Sequence, residues 1–216
     1  DKLQTLPGGF PVDGVIAPKG VARAFGYLLA PEDRLIIHLS AGTRHGLPSY
    51  NKSLVCSVQE ALRLGADAVS VQISIGNDLE DRMIADLGAV TDEAHQYGLP
   101  VLALIRASGE QIVNETDPML VSDCIRLGGE LGADMVSAIY SGDAVSFGEA
   151  VAACPAPVLA AFDQRKQDRN YLKNVREALE TGVAGIVAGR TWLQSADPLK
   201  GLDELLSLVH KTPPPV

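Results

Sequence analysis

Short runs of apolar and β-branched residues alternate with longer amphipathic runs along most of the chain. The short runs have the composition of strands that are buried on both faces of a parallel sheet. The longer runs carry apolar residues at the spacing of helices that cover such a sheet. The candidate strands are residues 14–17, 35–40, 68–75, 101–105, 135–139, 158–162 and 185–188. This order predicts an α/β fold built on a parallel sheet.

The predicted helices have recognisable ends. Residues 53–64 and 79–94 carry apolar side chains at helical spacing. Asp117 followed by Pro118 is typical of a helix N-terminus, and Asp168 precedes a further segment with helical periodicity. These segments are predicted to connect the strands.

An internal repeat favours one closed architecture. Residues 64–71 read LGADAVSV, residues 131–138 read LGADMVSA, and a looser copy, GVAGIVAG, occupies residues 182–189. Each copy reads as a helix end, a glycine suited to a left-handed C-cap, and a buried strand. We therefore predict a single-domain (β/α)8 TIM barrel over residues 1–216, with its first strand upstream of Asp1 or disordered. The alternative is an open doubly wound sheet, although no Gly-x-Gly-x-x-Gly motif follows any candidate strand.

Composition argues against several kinds of partner. The net charge is −9 and Lys and Arg do not cluster, so we expect no nucleic-acid partner. No apolar run approaches the roughly 20 residues that a membrane-spanning helix needs, so we expect no membrane contact. The three cysteines, Cys56, Cys124 and Cys154, are too widely spaced for a disulfide framework or a zinc site. Their odd number indicates reduced thiols and a cytoplasmic location.

Polar residues follow the predicted strands where a barrel carries its chemistry, at the carboxyl ends. They are Lys19, His38, Ser40, Arg44, His45, Gln72, Ser74, Arg106, Ser108, Ser137, Tyr140, Asp163, Arg165, Gly189 and Arg190. No acidic pair stands out, and no His, Asp or Glu cluster has the spacing of metal ligands. We expect neither a metal nor another cofactor.

Several of these residues allow two interpretations. Arg106 favours a carboxylate or phosphate ligand, but it could instead pair with Glu110. His38 and Gln72 are either catalytic or members of a hydrogen-bonded interior layer, as Ser70 is expected to be. Tyr140 either donates a proton or packs in the core.

A family resemblance adds to this interpretation. Segments 35–42 (LIIHLSAG), 64–71, 98–103 (GLPVLA), 131–136 (LGADMV) and 154–158 (CPAPV) resemble the class I aldolase superfamily. The resemblance is to archaeal-type fructose-bisphosphate aldolases and 2-amino-3,7-dideoxy-heptulosonate synthases, and it extends from about residue 13 to about residue 198. It implies a TIM barrel and a homo-oligomer.

The same resemblance implies changes at functional positions. The family's Gly-Ala-Asp-Ile-Val-Lys motif ends in the lysine that forms a Schiff base, and this chain has Ser137 there. Arg106 stands where the family has a tyrosine that transfers protons. A Gly-Gly pair that binds phosphate is replaced by Phe162 and Asp163, whereas Gly189-Arg190 is kept. Lys19 lies in a Pro-Lys-Gly context similar to the family's His-Lys-Gly.

Three hypotheses follow from these residues. In the first, an aldolase-family enzyme acts on a small anionic carbonyl metabolite by an imine-independent aldol, retro-aldol, cyclisation or isomerisation step. Its catalytic residues are Ser137, Arg106, Tyr140, His38 and Gln72, and its substrate-binding residues are Lys19, Ser40, Ser74, Asp163, Gly189 and Arg190. In the second, Lys19 replaces the missing Schiff-base lysine. In the third, the barrel is a non-catalytic ligand sensor or oligomer partner.

Overall fold

The computed structural model describes residues 12–43, 45–162, 171–189 and 198–210. The strands are β1 (Gly14–Pro18), β2 (Arg34–His38), β3 (Ser40–Ala41), β4 (Ser53–Leu54), β5 (Ala68–Ile75), β6 (Val101–Ala107), β7 (Met135–Ile139), β8 (Val158–Ala161) and β9 (Gly185–Val187). The helices are α1 (Lys19–Phe25), α2 (Val58–Arg63), α3 (Glu80–Gln96), α4 (Pro118–Glu130), α5 (Ala144–Ala153), α6 (Tyr171–Glu180) and α7 (Pro198–Val209), with a 3-10 turn at Gly26–Leu28. None of the helices in these ranges has the length and apolar character needed to cross a membrane.

Seven strands form one curled parallel sheet in the order β1-β2-β5-β6-β7-β8-β9. The spatial order follows the chain order without reversal, which distinguishes the sheet from the doubly wound alternative, where the order reverses at a switch point. Within the described residues β1 and β9 each have one neighbour, so the curled sheet does not close there. This agrees with the prediction of an eight-stranded barrel whose first strand is missing.

Alternate residues of each strand face the covering helices. Ile37, Val69, Ile73 and Ile105 on this side are at most 1% exposed. Gly128 of α4 lies directly on the sheet, because a Cβ there would be only 2.7 Å from the side chain of Val136 and 3.1 Å from that of Ile105. We call this side of the sheet the helix side and the opposite side the concave face.

The two close copies of the internal repeat have the same local structure. Gly65 and Gly132 both adopt a φ of +79°, which ends the preceding helix segment in the left-handed conformation. Two residues later, Asp67 Oδ2 accepts a hydrogen bond from Leu35 N, and Asp134 Oδ2 accepts one from Val101 N, each at 2.8 Å. Asp67 therefore links the start of β5 to the start of its neighbour β2, and Asp134 links the start of β7 to the start of its neighbour β6.

The segment between β2 and α2 differs from the prediction. A strand was expected to continue to Ser40 and a helix to begin at residue 53. Instead β2 ends at His38, and β3 and β4 pair as a short antiparallel ribbon. The helix begins only at Val58, because Ser57 Oγ accepts a hydrogen bond from Glu60 N and caps it. The apolar residues at 54 and 55 had suggested one more helical turn, but Val55 N donates instead to Leu39 O.

Candidate active site

The concave face of the central strands carries polar side chains. Strand pairing aligns His38 with Ser70, Ser74 with Arg106, and Leu104 with Ser137. Residues aligned in this way on neighbouring parallel strands point to the same face, and so do residues two apart on one strand. His38, Ser70, Gln72, Ser74, Arg106 and Ser137 therefore share the concave face; we call them the concave group. Four of the predicted catalytic residues are among them.

His38 is held between two hydroxyl groups. Its Nδ1 lies 2.9 Å from Ser70 Oγ and its Nε2 lies 3.3 Å from Ser40 Oγ. Ser40 Oγ also accepts a hydrogen bond from Gln72 N at 2.9 Å, so His38 is connected through Ser40 to the next layer of β5. Burial lowers the pKa of His38, and the charge of Lys52 lowers it further, so the imidazole is neutral at pH 7. A neutral imidazole can accept a proton.

The serines of the concave group are more deeply buried than its longer side chains. Ser70, Ser74 and Ser137 are at most 3% exposed, whereas Gln72 and Arg106 are half-buried. Ser70 is fully buried and bonded to His38, in agreement with its predicted place in an interior layer. His38, Gln72 and Arg106 are thus the members of the concave group with surface left for a ligand.

Lys52 was missed by the sequence analysis. It lies in the connection between β3 and β4 and is half-buried. Burial lowers the pKa of Lys52, and the nearby charge of Arg106 lowers it further. Lys52 Nζ lies beside Gly42, directly after β3, and the charge of Lys52 lowers the pKa of His38. A single lysine in a stretch rich in Gly, Pro, Ser and Asn carries no periodic signal that could have identified it.

Lys19 lies apart from the concave group. It is the first residue of α1, and its Nζ donates to the main-chain oxygen of Val55. It lines a groove of about 620 Å³ with Cys56, Glu60 and Glu93, beside α2 and α3. Pro18 aligns with His38 and shares its face, so the next residue along the chain, Lys19, points the other way.

Tyr140 also lies on the helix side. Its ring contacts Phe147 of α5 in a T-shaped arrangement with 5.2 Å between centroids, and it lies 6.2 Å from the ring of Phe162. The residue is 6% exposed, and its hydroxyl has no hydrogen-bond partner in the described part of the chain. Burial raises the pKa of Tyr140, and the carboxylates of Glu177, Asp143 and Glu180 raise it further. The packing interpretation of this tyrosine agrees with its position better than the catalytic one.

The remaining predicted residues are only partly described. Gly189 follows β9 at its carboxyl end, as expected for a residue at the mouth of the barrel. Arg44, Asp163, Arg165 and Arg190 lie outside the described residues. Among the described residues, no three His, Cys, Asp or Glu side chains converge in a way that could hold a metal ion.

Comparison with known proteins identifies the family of this chain. A sequence model of the DeoC/LacD family aldolases matches residues 13–195, which is most of the chain. The chain belongs to the DeoC/LacD aldolase family. The resemblance drawn from the sequence segments is thereby confirmed at the level of the family.

Two relatives of this aldolase-family chain are synthases. It is 38% identical over 202 residues to the 2-amino-4,5-dihydroxy-6-oxo-7-(phosphonooxy)heptanoate synthase of Streptomyces griseus, covering 93% of this chain and 74% of that protein. It is 37% identical over 200 residues to 2-amino-3,7-dideoxy-D-threo-hept-6-ulosonate synthase 1 of Archaeoglobus fulgidus, covering 92% of this chain and 74% of that protein.

Solved aldolase structures share the fold. An archaeal fructose 1,6-bisphosphate aldolase superposes with a TM-score of 0.83 at 34% identity, over 92% of this chain and 79% of the other. A second archaeal structure, whose catalytic lysine is covalently bound to a carbinolamine intermediate, superposes with a TM-score of 0.82 at 33% identity, over 92% of this chain and 78% of the other. These structures confirm the predicted barrel-type fold.

For an aldolase-family barrel, the concave group offers three chemical capabilities. A guanidinium group can bind an anion or stabilise negative charge on a carbonyl oxygen. A neutral imidazole between two hydroxyls can transfer a proton. The Gln72 side chain can add a hydrogen bond to a bound oxygen atom. All three lie on the adjacent strands β2, β5 and β6.

Proposed function

We propose that this aldolase-family chain is an enzyme that acts on a small anionic carbonyl compound, of the carboxylate or sugar-phosphate type, without forming an imine. The reaction is an aldol or retro-aldol step, or a cyclisation or isomerisation of the same type of substrate. The observation that carries the proposal is the shared concave face of His38 and Arg106, on strands separated only by β5.

Ser137 supports the imine-independent part of the proposal. The resemblance of residues 131–136 to the family motif supports an alignment of Ser137 with the Schiff-base lysine. An alcohol cannot form an iminium ion, and Ser137 is 3% exposed on the concave face of β7. In this proposal its hydroxyl group hydrogen-bonds a substrate oxygen and makes no covalent bond with the carbonyl carbon.

The residues of the concave group can divide the chemistry between them. In the retro-aldol direction, His38 accepts the proton of the substrate hydroxyl as the carbon–carbon bond breaks. The electron pair of that bond moves to the carbonyl oxygen, where Gln72 and Ser137 donate hydrogen bonds that stabilise the enolate charge, while Arg106 binds the anionic group of the same substrate. The proton held by His38 then returns to the enolate carbon, which completes the cycle without a net change in the protein.

The relatives support the substrate class. The Streptomyces griseus synthase is named for a phosphorylated keto acid, and the archaeal aldolase is named for a sugar bisphosphate. Both are carbonyl compounds that carry a phosphate. We therefore extend the anionic carbonyl class to this chain, with Arg106 as one cationic partner of the anionic group.

The test is turnover combined with borohydride trapping. The protein is incubated with phosphorylated ketoses and short keto acids, and products are followed by NMR, with and without sodium borohydride. We expect turnover and an unchanged protein mass after reduction, because no lysine amine becomes linked to the substrate. A stable substrate adduct on Lys19, Lys52 or any other lysine contradicts the imine-independent mechanism.

The non-catalytic barrel is the other outcome of the same experiment. Binding of these compounds without turnover would assign the chain to a ligand sensor or oligomer partner. The relocated Schiff base at Lys19 has less support, because Lys19 Nζ is engaged with Val55 O beside α2 and α3 rather than on the concave face.

A further inference from the structure

The residues around Lys52 are held in place by side chains of the β5–α3 region. Arg82 of α3 donates to Asn51 Oδ1, to the main-chain oxygen of Lys52 and to Ser53 Oγ. Tyr50 Oη donates to Asp78 Oδ1 at 2.6 Å. Four consecutive residues, 50 to 53, are therefore tied to one neighbouring element, and the position of Lys52 does not depend on a free loop.

The Lys52 side chain packs against Gly42, where a larger residue would not fit. A Cβ at Gly42 would overlap the main-chain oxygen of Asn51 and would lie 3.1 Å from Lys52 Nζ and 3.2 Å from Lys52 Cδ. Gly42 directly follows β3, whose Ser40 is bonded to Gln72 N. The lysine side chain therefore crosses the end of β3, above the edge of the sheet where the concave group lies.

Two cationic groups are brought near each other at this edge. Arg106 aligns with Ser74 near the carboxyl end of β6, and Lys52 Nζ lies 3.1 Å from where a Cβ at Gly42 would stand, directly after β3. The charge of Arg106 lowers the pKa of Lys52, and the charge of Lys52 lowers the pKa of His38. An ammonium and a guanidinium group at the same edge of the sheet both attract a small anion.

Lys52 has hydrogen-bonding capacity for such an anion. Among the described residues, its Nζ donates one hydrogen bond, of 3.4 Å, to the main-chain oxygen of Ser49. An ammonium group has three donors. The side chain is half-buried, so its remaining N–H groups have access to a molecule that enters from the carboxyl ends of the strands.

We propose that Lys52 and Arg106 together bind the anionic group of the ligand, a carboxylate or a phosphate, over the carboxyl ends of β2, β5 and β6. The planar guanidinium group offers paired N–H donors to two oxygens, and the ammonium group adds a compact charge on another side of the anion. This inference rests on the proposed function for the identity of the anionic group, but it assigns that group a second cation outside the strands.

The experiment titrates inorganic phosphate and acetate separately into the protein, followed by amide chemical shifts in NMR spectra. Four proteins are compared: the unmodified chain, Lys52→Met, Lys52→Arg, and Lys173→Met as a matched control on the exposed surface of α6. Loss of one charged hydrogen bond predicts that Lys52→Met weakens binding by about 10- to 100-fold. Lys52→Arg keeps the charge and should recover part of the affinity, and Lys173→Met should bind as the unmodified chain does.

The two anions distinguish the source of the ligand group. A large loss for phosphate with little change for acetate assigns the site to a phosphate, and the reverse assigns it to a carboxylate. The assignment of Lys52 is overturned if the unmodified chain binds neither anion, or if Lys52→Met binds both as tightly as the unmodified chain. It is also overturned if Lys52→Arg, with an unchanged unfolding midpoint, is as weak as Lys52→Met.

Turnover separates this inference from the proposed function. Unchanged KM for an anionic carbonyl substrate in Lys52→Met would leave the enzyme proposal standing and overturn the Lys52 site. Lys52-dependent phosphate or acetate binding in a chain that converts no carbonyl substrate would support the anion site and contradict the enzyme proposal.

Discussion

The two faces of the parallel sheet differ although they are made by adjacent residues of the same strands. On β6, Ile105 is 1% exposed on the helix side, whereas the next residue, Arg106, is half-buried on the concave face. On β5, Ile73 is 1% exposed on the helix side, whereas the residue before it, Gln72, is half-buried on the concave face. Because strand side chains alternate between faces, one residue of such a pair packs in the core and stabilises the barrel, while its neighbour can contact a ligand.

The largest effect is expected from a cavity on the helix side. Ile105→Ala removes a fully buried side chain that contacts α4, and we expect the free energy of unfolding to fall by about 2–5 kcal/mol. Val113→Ala, at a fully exposed position, should change it by less than about 0.5 kcal/mol. Urea denaturation measures both. Equal losses in the two variants would remove the distinction between core and surface on which the comparison depends.

A substitution at the next residue should affect ligand binding instead. Arg106→Met keeps much of the side-chain volume but removes the charge, and we expect anion affinity to fall by about 10- to 100-fold. Stability should fall much less than in Ile105→Ala, since Arg106 is half-buried and its replacement leaves no large cavity in the core. Phosphate titration and urea denaturation are the measurements, with the exposed Arg126→Met as control. If Arg106→Met loses as much stability as Ile105→Ala and keeps its affinity for phosphate, the helix side and the concave face do not have separate roles in stability and binding.

A smaller effect is expected where the concave face is itself buried. Ser70→Ala removes a hydroxyl 2.9 Å from His38 Nδ1, and we expect a loss of about 1–2 kcal/mol in the free energy of unfolding. The matched control is Ser207→Ala on the exposed side of α7. If Ser70→Ala leaves the free energy of unfolding unchanged, the deep part of the concave face behaves like an apolar core.

The smallest effect is the dependence of stability on pH through His38. Because burial and Lys52 lower its pKa below 6.5 in the folded protein, the unfolded chain binds the proton more readily. The stability present above pH 6.5 should therefore decrease as the pH falls through the lowered pKa. His38→Gln should flatten this part of the curve, measured as the urea midpoint between pH 5 and 7. An unchanged slope would show that His38 does not titrate in the environment described.

Most of the fold could be predicted because its signals are local. Apolar runs located the seven strands of the parallel sheet, and the LGAD repeat marked two of the helix-to-strand transitions, where glycine adopts a positive φ. The prediction was wrong between β2 and α2. There the apolar residues Leu54 and Val55 suggested a helix, but Val55 bonds to Leu39 and Ser57 caps the helix later. Hydrogen bonds to a distant strand decide such a segment, and they leave no periodic pattern.

The candidate site was predictable only within the strands. The carboxyl ends of the predicted strands supplied His38, Gln72, Arg106 and Ser137 as candidates, and the strand register places all four on the concave face. Lys19 and Tyr140 each lie one residue beyond a strand end, and the structure places both on the helix side. Reading the carboxyl ends as a ring of polar residues did not separate the two faces at these positions.

The sequence by itself determined the alternation of strands and helices, the two faces of each strand and the family of the chain, because these follow from local periodicity and from motifs. Only the tertiary structure decided that Lys52, rather than Lys19, lies at the edge of the sheet beside the concave group. That position depends on Gly42, Asp78 and Arg82, which hold the connection between β3 and β4 across the edge of the sheet. Contacts between segments this far apart in the chain form only when the barrel folds.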